Sequence, residues 1–469
     1  MAATRDRSAG RACSLAEPAG TISVQRESPR GFSVHVAAAG KGERLATIPV
    51  KPGELLGRVR RRALEAAGLP SGSEPWLLRG AEPLPDGVTA AAAGLSEGVT
   101  LRLATAGPAG RWALAAGQDG ATRVWRVDDG ACLRVLGGHA ERVTAAAFSP
   151  DGSLVLTASA DGTALLWQAA DGSAVSRLTG HGAPVCSAEF SRNSKSVLTI
   201  CLSERSAKVW RVEDGSCTYT LLGHEAYVVA GGFSPDCRLA LTASLDRTAR
   251  LWQVVLGGPD VGLPLTSSLP YSSRLPKAAG GECSAVLSGH SAGLNAAAFS
   301  PDSKSVLTGA NDNLCILWRA EDGELLQTLR GHRGSVPSVA FAPGGALGAT
   351  ASVDNSARLW RLQDGSCLRI LEGHRGPLKA VSFSPDGEFI MTVAAAASLR
   401  LWRARDGEHV HSLVGHRGQV TAALFSRDGS LVLTASEDGT ARIWAADEGA
   451  CVWTLEGADG PLLCCAFSF

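Results

Sequence analysis

Leu154-Val-Leu-Thr-Ala-Ser-Ala-Asp-Gly-Thr-Ala-Leu-Leu-Trp167 reads as two short strands joined by a tight turn, because apolar runs flank an Asp161-Gly162 pair and a Trp closes the second run. Working outward, Val143 to Phe148 is a preceding strand, and Ser149-Pro150-Asp151-Gly152 is the turn between it and Leu154. A fourth strand follows Trp167 after Asp171-Gly172. The same unit recurs along the chain. Trp125, Trp167, Trp210, Trp252, Trp318, Trp360, Trp402 and Trp444 stand 42 or 43 residues apart except for one longer gap, and a Gly-His pair lies upstream of most, from Gly138-His139 to Gly415-His416. A four-stranded unit repeated at about 40 residues is one that buries its faces only by stacking on its neighbours.

These residues resemble the WD-repeat β-propeller family, from about residue 111 to the end of the chain. The fold expected is mainly β, an eight-bladed propeller over 107–469. Pro461-Leu-Leu-Cys-Cys-Ala-Phe-Ser-Phe469 supplies the inner strand missing before Arg111-Trp-Ala-Leu, so that one blade is built from both ends and no sheet edge stays open. The alternative is seven blades with one degenerate unit outside, since Gly457-Ala458 lacks the His.

The resemblance implies a hydrogen-bonded tetrad of His, strand Ser, turn Asp and Trp in each blade. Four sets match in full: His139, Ser159, Asp161, Trp167; His224, Ser244, Asp246, Trp252; His332, Ser352, Asp354, Trp360; and His416, Ser436, Asp438, Trp444. The unit of Trp210 has Leu202 and Glu204 at the Ser and Asp positions, and that of Trp402 has Ala394 and Ala396. Those two are expected to be the weakest blades.

Ahead of the propeller, residues 1–30 are rich in Ala, Gly, Arg and Ser without an apolar period, which reads as a disordered tail. Residues 31–106 carry strand patterns at Phe32/Val34/Val36 and Ala46/Ile48/Val50, a helical stripe at Leu56, Val59 and Ala63, a short strand at Trp76-Leu77-Leu78, a helical turn near Ala90 to Leu95, and a last strand at Val99, Leu101 and Leu103. This order is similar to a small α+β ubiquitin-like β-grasp domain. No Gly-Gly tail follows Leu103, so conjugation is not implied. Val254 to Glu282, in the long gap, reads as an inserted loop (254–282) between the third and fourth strands of its blade; Ser267, Ser268, Ser272 and Ser273 are candidate phosphorylation sites in it.

Function is expected in loops and not in an active site. Seven of the ten His belong to Gly-His pairs; His409-x-His411 has no accompanying carboxylate or Cys cluster, and there is no phosphate-binding Gly-rich loop or Ser elbow. An enzyme is therefore not expected, nor a cofactor. Cys132, Cys217, Cys367 and Cys451 recur at one repeat position and read as small packing residues; there is no Cys-x-x-Cys, and neither metal nor a disulfide framework is expected. Lys and Arg number 45 against 45 Asp and Glu, which argues against a general nucleic-acid binder, and no apolar run approaches the roughly 20 residues of a membrane span.

The loops after each Gly-His and the turns carrying the Asp are expected on one face. They bring Arg142, Tyr227, Arg333, Arg375 and Arg417 together with Gln118, Asn311 and Glu437. Gly-His-Arg-Gly recurs on three adjacent blades, so Arg333, Arg375 and Arg417 form a positive arc suited to carboxylate or phosphate groups on a protein or peptide partner. Only seven of the 45 basic residues are Lys, so any single Arg also reads as ordinary surface. The expectation is a cytoplasmic or nuclear interaction scaffold. The alternative is a receptor that links targets to the ubiquitin–proteasome system through the β-grasp domain; against it, no repeat Trp is followed by Asp.

Overall fold

The computed structural model describes residues 20–28, 31–38, 44–50, 76–79, 82–83 and 100–104 of an N-terminal unit, and residues 111–468 apart from 202, 255–278 and 396. The chain divides into two compact units, Met1–Gly110 and Arg111–Phe469.

In the first unit six strands form one sheet, in the order Arg44–Val50, Gly31–Ala38, Gly20–Ser28, Thr100–Ala104, Trp76–Arg79, Glu82–Pro83. The expected hairpin is there, with Val34 opposite Ile48 and Val36 opposite Ala46. Gly20–Ser28 corrects the reading of residues 1–30 as tail throughout: this strand pairs with Gly31–Ala38, Ile22 opposite Val36 and Val24 opposite Val34, and also with Thr100–Ala104. Its signal is only the alternation of Ile22 and Val24 with Thr21, Ser23 and Gln25, too short to stand out from its surroundings. The helical stripe at Leu56 to Ala63 and the turn near Ala90 lie outside the described residues.

The second unit consists of eight sheets, each with four antiparallel strands, and the sheet of blade 3 gains a short fifth strand in parallel. Blade 1 is the composite one. Its inner strand, Leu462–Phe467, pairs with Trp112–Gly117, which pairs with Ala121–Arg126 and then Cys132–Gly137. The register runs from Leu462 opposite Gly117 to Phe467 opposite Ala113. Eight blades closed by strand exchange is thus the architecture, and the seven-blade alternative falls. Blades 2 to 8 follow in chain order and contain Trp167, Trp210, Trp252, Trp318, Trp360, Trp402 and Trp444 in their third strands.

Hydrophobic packing runs between blades. In one core cluster Trp252 and Phe233 of blade 4 meet Leu198, Ile200 and Val209 of blade 3; in another Trp125, Leu462 and Phe467 of blade 1 meet Leu433 and Ile443 of blade 8. The second and third strands of a blade therefore read as apolar on both faces, since they are sandwiched. Burying a whole Trp removes roughly 200 Å² from water, roughly 5 kcal/mol as an upper bound, so the Trp period is also the period of the core.

The inserted loop leaves Thr248–Gln253 and the chain returns at Glu282–Ser288, between third and fourth strands as the spacing requires. Just before the return, Ala279–Gly280 pairs in parallel with Cys217–Leu221, the outer strand of blade 3. The serines of the loop lie outside the described residues. Of the repeat cysteines, Cys217 is half-buried but Cys132, Cys367 and Cys451 are exposed on outer strands, a correction to their reading as packing residues: the outer strand has solvent on one side. Cys464 and Cys465 do face opposite ways, one towards the Ala116 carbonyl and the other towards that of Leu433.

Candidate functional site

The rim that carries the Gly-His loops is held by one network repeated from blade to blade. In blade 4, Trp252 Nε1 donates to Thr242 Oγ1 (2.8 Å), His224 Nε2 contacts the same oxygen (2.8 Å), and His224 Nδ1 meets Asp246 Oδ2 (2.7 Å). Asp246 also accepts from the Glu225 amide and from Thr248. The proton order follows from complementarity. The carboxylate takes the Nδ1 hydrogen, so Nε2 is an acceptor for Thr242, whose oxygen receives the Trp.

Thr, not Ser, is therefore the bridging hydroxyl. Thr157, Thr350 and Thr434 do the same for Trp167, Trp360 and Trp444. Ser159, Ser244 and Ser352 instead accept the amide of the turn Asp and donate to a loop carbonyl, that of Glu141, Ala226 and Gly334 respectively, while Ser436 accepts the Asp438 amide. Ser and Thr two residues apart share one face of a strand, but only Thr reaches the ring.

The network is more widespread than the four expected sets. Blade 5 is complete through His290, Thr308 and Asp312. Blade 3 is complete through Glu204, whose carboxylate is 2.6 Å from His181 Nδ1, with Thr199 bridging His181 and Trp210. Here the register corrects a residue assignment: Cys201 lies opposite Val185 as Ser159 lies opposite Val143, so Cys201 and not Leu202 holds the Ser position, and the turn has gained one residue. The expected weakness of this blade does not follow from a missing partner.

Blade 7 is the exception. His374 Nδ1 meets Ser398 Oγ at 3.1 Å in place of a carboxylate. Burial, then the charges of Arg400 and His409, push its imidazole down to about 4. A folded-state value below the ordinary 6.5 means that His374 favours folding fully above pH 6.5, and that this contribution, on the order of 2–3 kcal/mol, is lost as pH falls towards 4. Following the imidazole by NMR should show His374 neutral down to about pH 5; a midpoint near 6.5 would refute the assignment.

In blade 1 Ala458 and Ala115 stand at the His and Thr positions of the network, and Arg123 in the third strand pairs with Asp119 at 2.5 Å. Arg123 is 8% exposed.

Backbone bonds then fix the rim. In six blades the residue before the turn acid donates its amide to the carbonyl of a residue just ahead of the inner strand: Gln118 to Pro461, Ala160 to Arg142, Leu245 to Tyr227, Asn311 to Gly293, Val353 to Ser335, Glu437 to Gln419. All eight expected residues, Arg142, Tyr227, Arg333, Arg375, Arg417, Gln118, Asn311 and Glu437, are exposed on this rim. They occupy different positions, however. Arg142 and Tyr227 adjoin the inner strands at the channel mouth, whereas Arg333, Arg375 and Arg417 each directly follow a network His. The Arg333 and Arg417 amides bind the turn carboxylates of Asp354 and Asp438 (2.9 and 2.8 Å), which anchors the backbone and leaves the side chain outward. Among the described residues none of the three guanidinium groups of the arc has an ion-pair partner. Lys379 crosses from blade 7 to Gln419 of blade 8 (2.8 Å) and adds charge between two of them.

Two rim residues escaped the sequence reading. Leu245 and Val353 are 40% and 43% exposed, beside Tyr227 at 49%. They hold the same pre-turn position as Gln118, Asn311 and Glu437, and that equivalence was the available signal. Inside the channel the inner strands present mostly small residues. Glu189 is a charged exception, exposed on the channel wall.

His409 and His411 are engaged separately. His409 packs edge-on to Trp402 and meets Ser412, while His411 meets the Asp447 carbonyl. No helix among the described residues is long and apolar enough to cross a membrane.

Comparison with known proteins agrees with this architecture. The WD domain, G-beta repeat family matches residues 130–168, 172–211, 215–253, 281–319, 323–361, 365–403 and 407–445, more than half of the chain. The chain belongs to the WD40 family. Each WD40 match begins with the outer strand of one blade and ends with the third strand of the next, which is why the composite blade 1 falls largely outside the matches. Among solved structures 1794 chains match. One is a computationally designed protein, Ika8, 24% identical with a TM-score of 0.59, covering 70% of this chain and 91% of that one; the likeness is one of fold. No curated protein matches. WD40 propellers serve generally as non-enzymatic scaffolds for protein interaction.

Proposed function

We propose that this chain is a non-catalytic interaction scaffold whose rim over blades 6 to 8 receives an acidic or phosphorylated segment of a protein partner. The observation that carries the reading is the arc of three exposed guanidinium groups without an ion-pair partner among the described residues, two of which, Arg333 and Arg417, stand on backbone amides bound by the turn carboxylates. Arg presents a planar fork to carboxylate or phosphate oxygens and loses little freedom on binding when its backbone is fixed. Tyr227, Leu245 and Val353 provide apolar and aromatic contact on the same rim, the composition of an interface core flanked by charge. Eleven free cysteines among the described residues suit the reducing cytoplasm or nucleus, where we place the protein. Nothing in the described residues favours the alternative ubiquitin-system adaptor.

The test uses the full chain and arrayed peptides in acidic, phosphorylated and neutral versions. Changing Arg333, Arg375 and Arg417 together to Ala should weaken the best acidic or phosphorylated binders roughly tenfold to a hundredfold, since each lost charge-assisted contact is worth roughly 1 kcal/mol, and should leave thermal unfolding unchanged. Equal binding by wild type and the triple variant, or preference for neutral peptides, would retire the arc.

A further inference from the structure

Blade 3 departs from the repeat at three adjacent points, and the departures converge in space. Where blades 2, 4, 6 and 8 have Ser-x-Asp, this blade has Cys201, one extra residue, and Glu204. The His181 ring, the Cys201 sulfur and the Glu204 carboxylate bring one ligating atom each to within 4.8 Å of one another. The structure assigns to blade 3 a metal site in which His181 Nδ1, Cys201 Sγ and a Glu204 oxygen hold a zinc-like divalent ion, with the fourth position open towards the rim.

The donor set fits that ion. Nitrogen, thiolate and carboxylate are all zinc ligands, and three protein ligands with one open position is the arrangement of a non-structural zinc site. Cys201 and Glu204 as anions with neutral His181 balance the double charge. Lys208 also lies within electrostatic reach and opposes a cation, but as one charge against two coordinating anions. The His181 side chain is 1% exposed and Cys201 is 0% exposed, while the Glu204 side chain is 23% exposed, so two ligands are fixed in the blade and the site meets solvent through Glu204.

Geometry asks for modest movement. Tetrahedral zinc with bonds of about 2.0–2.3 Å sets its ligand atoms about 3.3–3.6 Å apart. Nδ1 and Oε2, now 2.6 Å apart, must separate, and the sulfur must draw in. Glu has one more torsion than the Asp of the other blades and can make that adjustment. The second shell permits it too. With metal on Nδ1 the ring carries its proton on Nε2 and donates it to Thr199 Oγ1 at 2.7 Å; Thr199, already accepting from Trp210, then turns its own hydrogen to the Lys208 carbonyl at 3.5 Å. A His ligand whose second nitrogen is anchored is the usual pattern of metal sites. Burial and the Glu204 charge hold the free Cys201 thiol protonated, so binding would release that proton.

The full chain, kept reduced, is titrated with zinc in competition with a chromophoric chelator, and separately with cobalt, which reports thiolate ligation by a sulfur-to-metal charge-transfer band. Wild type should bind one equivalent with that band. Cys201→Ser should lose the band and at least tenfold in zinc affinity while remaining folded, because Ser is the residue other blades carry there; Glu204→Gln should weaken binding similarly. Cys451→Ser, on an exposed outer strand, should change nothing. A band that survives Cys201→Ser, or no binding by folded wild type, overturns the assignment. Because this site shares no residue with the arginine arc, its failure leaves the peptide-binding result untouched, and the reverse holds.

Discussion

Thr242→Val should lower the stability of the propeller by about 2–4 kcal/mol, and Ser244→Ala by about 1 kcal/mol, although the two hydroxyls lie two residues apart on the same strand. The difference comes from what each leaves behind. Thr242 is fully buried, receives the indole hydrogen of Trp252 and donates to His224. Valine has nearly the same shape, so packing is kept while an N–H donor and a ring nitrogen acceptor are stranded. A stranded buried group costs about 1–3 kcal/mol, and here there are two in one polarised chain that ends on Asp246. Ser244 is equally buried but makes one local bond to the Ala226 carbonyl and accepts one amide, and both backbone partners belong to half-buried residues at the rim. Urea unfolding followed by Trp fluorescence would measure both. If the serine variant proved the more damaging, the bridging role would belong to Ser after all.

Most of the ring was legible because its determinants are local and repeated. The Trp period marks the blades, and the missing inner strand before Arg111 pointed to Leu462–Phe467 as its partner. The network was misread at one residue for a definite reason. In Leu-Thr-Ala-Ser both hydroxyls point the same way, and strand periodicity cannot choose between them. Recurrence could have chosen: Thr stands at 157, 199, 242, 308, 350, 392 and 434, whereas Cys201, Ala310 and Ala394 replace the Ser in blades 3, 5 and 7. Blade 3 was misaligned because counting back from Trp210 conceals an inserted residue, and only pairing with Val185 reveals it. Leu245 and Val353 were passed over since exposed apolar residues inside an apolar strand pattern look like core. The rim chemistry is a property of where turns converge from distant repeats, which spacing along one chain does not report.

Removing residues 461–469 should abolish the cooperative native state, a larger loss than any single substitution in the network. The segment contributes one strand, yet its deletion opens the ring on both sides. Trp112–Gly117 loses its hydrogen-bonding neighbour, and an unpaired apolar edge is a template for association between chains. Leu462 and Phe467, 0% and 7% exposed, leave a cluster that includes Trp125, Ile443 and Leu455; burial of two such side chains is worth about 3–6 kcal/mol alone, comparable with the whole stability of many domains. Thr421 of blade 8 also loses its bond to the Leu462 carbonyl. The expected outcome is an aggregating chain without a sharp thermal transition. Gly117→Ala gives a graded version, because a Cβ there runs into the Pro461 carbonyl and backbone cannot swing aside as a side chain tip would; it should melt below wild type but still fold. A truncated chain that stays monomeric and melts as wild type would mean that neighbouring blades hold the ring without its seam. That would reverse the view of closure as the source of cooperativity, in which stacked blades gain their joint stability only when the first and last are one sheet.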